Sequence, residues 1–155
     1  MRTFYQKGIT IIEFFVIIAA IGVLVLIVLP QFSKTRENQV LKSGVQDALS
    51  SIDKARSQTL SSLNSSEYGV HFQSDKVIIF KGKVFSSGAS GNETIDIITP
   101  ASISNVTLGG VSGTSGDMYF NRLSGAPSTT GTITVSTSSY SKVITIFATG
   151  VASVN

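Results

Sequence analysis

Residues 7–30 read KGITIIEFFVIIAAIGVLVLIVLP, and this stretch decides how the rest of the chain is organised. From Phe14 to Ser33 no residue is charged, and Phe14 to Leu29 is almost wholly Phe, Val, Ile, Leu and Ala. A helix rising about 1.5 Å per residue needs about 20 apolar residues to cross a hydrocarbon core about 30 Å thick. The run therefore predicts a spanning helix. Arg2 and Lys7 precede it, so the positive-inside bias holds the N-terminus in the cytoplasm and sends the remainder across. A secretory signal would have a shorter apolar core followed by small residues. Ala19-Ala20-Ile21-Gly22 has the small residues, but they sit inside the run with Val and Leu beyond. A plain anchor fits the length and leaves Glu13 unexplained, because a charge at the centre of a spanning helix costs about 2.5–3.5 kcal/mol on insertion scales.

The order Lys7-Gly8-Ile9-Thr10-Ile11-Ile12-Glu13 explains it differently. A basic leader, Gly, an apolar residue, Thr, two apolar residues and Glu ahead of an apolar run resembles the N-terminal signature of type IV pilins and pseudopilins. Gly22 and Pro30 fall where that superfamily commonly loosens its helix. The resemblance implies a leader at 1–8, cleavage by a prepilin peptidase between Gly8 and Ile9, and N-methylation of Ile9. Ile9 stands where Phe, Met or Leu is usual. Cleavage would create a cationic amine at the positive end of a helix, a poor place for a cation. Glu13 lies four residues on, on the same helical side. It is expected to pair with the Ile9 amine of a neighbouring subunit and so set the axial register of a filament. Pairing within one chain is the alternative before assembly.

The rest of the chain is a different material. The overall hydrophobic fraction of 42% averages one lipid-soluble segment with a polar remainder rich in Ser, Thr and Gly. Removing the leader, with Arg2 and Lys7, lowers the formal charge from +3 to +1, which does not favour nucleic acid. The absence of cysteine excludes disulfides, thiolate catalysis and Cys-based zinc sites.

Beyond Pro30, residues Leu41, Val45, Ala48, Leu49, Ile52, Ala55, Thr59, Leu60 and Leu63 recur at helical spacing and predict one core-facing stripe. The helix is expected from Ile9 to about Ser62, comprising an assembly segment at 9–30 and an amphipathic outer half at 31–63. Asn64-Ser65-Ser66 should end it. Past Tyr68 the period shortens. Strands are predicted at Tyr68–Phe72, Lys76–Phe80, Thr94–Ile98, Ile103–Leu108, Met118–Asn121, Thr132–Ser136, Val143–Thr149 and near Val151–Val154. Ser74-Asp75, Ser86–Asn92, Gly109–Gly116 and Ser124–Gly131 read as loops or turns. The expected fold is α+β, a long N-terminal helix whose outer half packs on an antiparallel β-rich head at 64–155.

Ala55-Arg56-Ser57-Gln58-Thr59 followed by Tyr68-Gly69-Val70-His71-Phe72 resembles the helix end and first strand of GspH/FimT-type minor pseudopilins. Tyr119-Phe120-Asn121 with Ser124-Gly125, Gly131–Val135 and Ile146–Gly150 are similar too. DNA-uptake members of that group carry basic residues after the C-terminal Gly, whereas Gly150 is followed by Val151-Ala152-Ser153-Val154-Asn155. Lys81 and Lys83 are expected to be a solvated edge that discourages sheet pairing rather than a phosphate clamp.

No constellation for catalysis is present. His71 is the one histidine, Asp75, Asp96 and Asp117 are scattered, and no nucleophile elbow, P-loop or dinucleotide fingerprint occurs. His71 is expected to pack on a strand, and Arg56 to pair with Asp53 or a head carboxylate. Together with the pilin resemblance, which implies the role, these observations lead to the expectation of a non-enzymatic structural subunit of a bacterial type IV pilus-like or type II secretion pseudopilus filament, without cofactor or metal. The partners implied are the prepilin peptidase, other subunits, a membrane assembly platform and, before assembly, the bilayer. The protein would sit in the cytoplasmic membrane with its head outside, then in a periplasmic or extracellular filament. A tip subunit that binds DNA or a surface is the alternative function.

Overall fold

The computed structural model describes residues 8–155. Of the leader read at 1–8, all but Gly8 lies outside them. Helix α1 spans Ile11–Leu60, 50 residues. It begins two residues later than the sequence suggested, because Thr10 stands just ahead of its first turn and caps it: the Glu13 N–H donates to Thr10 Oγ1 at 3.3 Å. The helical assignment is continuous through Gly22 and Pro30. By length and composition α1 is apolar enough to cross a membrane, with a mean hydropathy of 3.2 over its most apolar window.

The chain divides into two compact units, residues 1–36 and Glu37–Asn155. In the first, the large apolar side chains of α1 are exposed: Ile11, Leu26 and Ile27 are 77%, 76% and 64% exposed.

The second unit is built from the outer part of α1 and nine strands. Residues Leu41, Val45, Ala48, Ile52, Ala55 and Thr59 are buried, as the stripe predicts. Leu49 is half-buried, whereas Leu60 and Leu63 are exposed. Leu60, the last residue of α1, sits one position round the helix from Thr59, and Leu63 lies past its end: Ser62 has φ +51° and Leu63–Ser65 forms a short 3-10 turn. Gly44 and Ser51 join the buried face. A Cβ on Gly44 would lie 3.2 Å from Ile97, so the small residue lets the helix approach the strands. Ser51 satisfies its hydroxyl on the Asp47 carbonyl at 2.7 Å.

The strands are β1 (Tyr68–Phe72), β2 (Lys76–Lys81), β3 (Glu93–Asp96), β4 (Ser102–Leu108), β5 (Val111–Gly113), β6 (Gly116–Tyr119), β7 (Gly131–Ser136), β8 (Ser141–Ile146) and β9 (Ala152–Val154). All pairings are antiparallel, and they form two sheets, ordered β3-β2-β1-β6 and β5-β4-β7-β8-β9. Alternate residues face inward. Val70, Phe72, Val77, Ile79, Ile103, Val106, Met118, Ile133, Val135, Ile144 and Ile146 join the helix stripe in one core.

Strand β5 refines the sequence reading, which took Gly109–Gly116 as a loop or turn and placed no strand there. Gly109 and Gly110 have φ +59° and +82°, and Leu108 pairs with Val111 across them. Positive φ at both central residues is the mirror-image turn whose twist suits a tight hairpin. The turn, rather than side-chain pattern, makes the strand. Three strands also end earlier than expected. β3 stops at Asp96, β6 at Tyr119 and β8 at Ile146, with Phe120 held by an isolated bridge to Pro127.

Candidate functional site: the helix start and the helix–head junction

Gly8, Ile9 and Thr10 precede α1 and are exposed, with Ile9 at 72%. Thr10-Ile11-Ile12-Glu13 carries Thr at the cap and Glu at the third helical position, the two residue types of a capping box. The half of the box that is formed is the Glu13 N–H to Thr10 bond. Glu13 is the acidic residue of the first turn, where the helix dipole favours an anion. Its carboxylate is exposed and free of an ion pair among the described residues. The arrangement presents a carboxylate to whatever surrounds the start of α1, from a backbone pinned by Thr10. The sequence reading missed Thr10, although the T-x-x-E spacing was its signal. Gly22 has nothing within 4 Å of a Cβ position, so space alone does not require glycine there.

At the other end of α1 the helix is tied to the strands by two polar groups. Thr59 is fully buried and donates to the Ala55 carbonyl at 2.9 Å, while its Oγ1 accepts the Tyr68 N–H at 2.9 Å. Thr59→Val keeps the shape and orphans the Tyr68 N–H. It should cost about 1–3 kcal/mol of head stability, read as a lower midpoint in denaturant.

Arg56 corrects the expectation of a carboxylate partner. Its Nε donates to the Gly125 carbonyl at 3.2 Å and one terminal NH₂ to the Thr149 carbonyl at 3.1 Å. Gly125 and Gly150 have φ +64° and +82°, and a Cβ on Gly150 would collide with the Gly125 carbonyl and lie 2.7 Å from Arg56 Nε. The guanidinium thus joins two glycine turns to the helix. Arg56→Ala should lower stability by about 1.5–3 kcal/mol, and Arg56→Lys should recover little because an ammonium lacks the planar fork.

His71 packs on β1. Its ring stacks on Phe85 at 3.9 Å between centroids, with planes 5° apart, and its Nδ1 is 3.9 Å from the Asp117 carboxylate. Burial holds the imidazole below its ordinary pKa, partly opposed by Asp117. The folded state therefore binds the proton less readily than the unfolded chain. Stability is full above about pH 6.5 and is lost as the pH falls from there through the folded pKa. The drop in Tm between pH 7.5 and pH 5 should be smaller in His71→Gln than in the wild type, whatever the variant's absolute Tm.

Lys83 lies 3.9 Å from Glu67 and 5.7 Å from the Tyr119 ring centroid. Lys81 ends β2, an interior strand that outruns β3 only past Ile79, so the expected edge role describes only the end of that strand. Asp75 sits 3.8 Å from Lys76, and Asp96 is opposite Lys76 across β2–β3. Among the described residues no three His, Asp or Glu side chains gather as metal ligands. No family model, curated protein or solved structure matches the chain.

Proposed function

We propose that the chain is a structural subunit of a type IV pilus-like or pseudopilus filament, cut between Gly8 and Ile9, methylated at Ile9, and polymerised through the apolar part of α1. One observation carries this reading. A helix whose charge-free run from Phe14 to Ser33 leaves its large apolar side chains exposed begins, just after Gly8-Ile9, with a Thr10-pinned turn that displays Glu13. A spanning helix alone has no use for a carboxylate at that point. A polymer of such helices has one, because each new amine at Ile9 needs an anion in an apolar setting.

In this account the cytoplasmic membrane holds the subunit before assembly, with its N-terminus inside and its head across. Prepilin peptidase, other subunits and an assembly platform are its partners. Packing of apolar helices supplies cohesion, and the Glu13–Ile9 pair sets the axial step.

Mass spectrometry of the membrane-extracted protein tests the proposal. In cells with an active leader peptidase the chain should start at Ile9 and carry one extra methyl group. A chain that retains Met1 and Gly8 overturns it.

A further inference from the structure

The seam between α1 and the last strands of the five-stranded sheet is pinned at its two ends and open between them. At one end the Ser138 hydroxyl, in the turn joining β7 to β8, donates to the Glu37 carboxylate at 3.0 Å. At the other the Arg56 guanidinium donates to the Thr149 carbonyl, just past β8, at 3.1 Å. Between these pins α1 runs alongside β8 and rests on β7, where a Cβ on Gly44 would lie 3.6 Å from a methyl of Val135. The sheet extends beyond β7 through β8 to β9. Along that stretch lies a groove of about 310 Å³, lined by Lys42, Val45, Gln46 and Leu49 of α1 and by Lys142 and Val154.

Its floor is aliphatic by strand alternation. Lys142, Ile144 and Ile146 share the inward face of β8, and Val154 is opposite Ile144 on β9. Ile144 and Ile146 are buried, whereas Leu49 and Val154 stay half-buried along the open stretch. Lys142 is the one charged residue in β7, β8 and β9, and Lys42 meets it from the helix wall. The other charges of the head are distributed differently. Lys54, Lys76 and Lys83 pair with Glu93, Asp75 and Glu67. Among the described residues from Glu37 onward, the lysines without a carboxylate partner are Lys42, Lys81 and Lys142, and two of these three line the groove. No Asp or Glu lines it. On α1, Glu37 and Asp47 each stand five residues from Lys42, about 140° round the helix. Glu37 is engaged by Ser138, and Asp47 accepts from the Ser43 hydroxyl at 3.5 Å.

An aliphatic trough with a cation from each wall selects a ligand with one anionic head and one apolar chain. From Lys42 to Leu49 the helix wall is about 10 Å long. A volume of about 310 Å³ holds on the order of ten groups the size of water. Two acyl chains exceed that room, and a nucleic-acid phosphate would leave Val45, Leu49 and Val154 uncovered. We infer that this groove binds a single-chain aliphatic carboxylate of about eight to ten carbons. Its head lies between Lys42 and Lys142, with the Gln46 amide as a further donor, and its chain lies along Val45, Leu49 and Val154. The pins at both ends belong to the folded head, so the trough is formed before the ligand arrives and little ordering opposes binding. The site lies wholly within Glu37–Asn155 and does not depend on the filament reading.

Photolabelling of the full-length protein in dodecyl maltoside micelles tests this. The probe is a trace of decanoate carrying a terminal diazirine, and mass spectrometry of the digest maps where it attaches. The charge-free run at 14–33 takes up the probe by simple partition and is the internal reference. Peptides holding Val45–Leu49 and Val154 should be labelled as well. Excess decanoate should lower the groove-to-reference ratio at least about fivefold, whereas decanol or decyltrimethylammonium should change it less than about twofold. Lys42→Glu/Lys142→Glu should lower the ratio as far as excess decanoate does. Lys42→Arg/Lys142→Arg and Lys81→Glu should leave it near the wild-type value. Both groove lysines are exposed, so the reversal spares the core, and the competition uses unaltered protein in any case. Label confined to the reference run, a ratio that decanol lowers as far as decanoate, or a ratio indifferent to Lys42→Glu/Lys142→Glu would mean partition only and overturns the inference.

Discussion

Glu13→Gln is expected to be cleaved and methylated like the wild type and to enter filaments at no more than about a tenth of the wild-type level. Glutamine keeps the length and polarity of the side chain and removes its charge. The Thr10 cap survives, because its bond uses the Glu13 backbone N–H rather than the carboxylate. Helix start, insertion and recognition of Gly8 should therefore be unchanged. In the proposed filament the amine of a neighbouring Ile9 would lose its counter-ion, and an uncompensated charge in an apolar interface is among the costliest single defects of an assembly. Glu13→Asp separates charge from reach: it retains the anion on a shorter arm and should assemble at an intermediate level. Sheared-filament yield against total membrane-extracted protein gives the ratio. Wild-type incorporation by Glu13→Gln would end the register role while leaving cleavage to be judged by mass.

The second large effect lies in the head. Gly69→Ala should destabilise it by about 3 kcal/mol, lowering Tm by about 10 °C. Gly69 sits in β1 between Phe80 of β2 and Tyr119 of β6. A Cβ there would lie 2.5 Å from the Met118 carbonyl oxygen and closer still to the Phe80 ring. The ring is 1% exposed and the carbonyl belongs to the neighbouring strand, so neither has room to yield. Val70, one residue on, points into the core with ordinary packing, and Val70→Ala should cost less, about 1–2 kcal/mol. Thermal unfolding followed by far-UV circular dichroism, on full-length protein in detergent, compares the two. Equal losses would show that the ring and carbonyl relax around the added methyl.

The long helix and most strands were legible because their signals are periodic and local. Leu41, Val45, Ala48, Ile52, Ala55 and Thr59 repeat at helical spacing, and all six are buried. Strands β1, β2, β4 and β7 match their predicted spans within a residue, since β-branched runs there alternate between faces. What escaped is set by backbone geometry or by partners distant in sequence. β5 depends on left-handed glycines, Gly44 and Ser51 are buried because other elements need room, and Arg56 reaches carbonyls 69 and 93 residues away. The division into two sheets was equally invisible, because it rests on which strands meet rather than on what each contains. At the start of α1 the pattern was readable as a charge in the wrong place, but the cap that pins it required noticing that Thr10 and Glu13 are three apart.

The order of pairing in the four-stranded sheet has a temporal consequence. β1, β2 and β3 follow one another along the chain, yet the other flank of β1 is filled by β6, with Gly69 opposite Tyr119, fifty positions downstream. Closing that span carries an entropic cost that neighbouring hairpins avoid. A polypeptide emerging from its N-terminal side therefore shows a half-built sheet, with β1 bare along one flank, until Gly116–Tyr119 arrives. During that interval the nascent chain is most open to capture by a chaperone, a protease or another unfinished copy of itself.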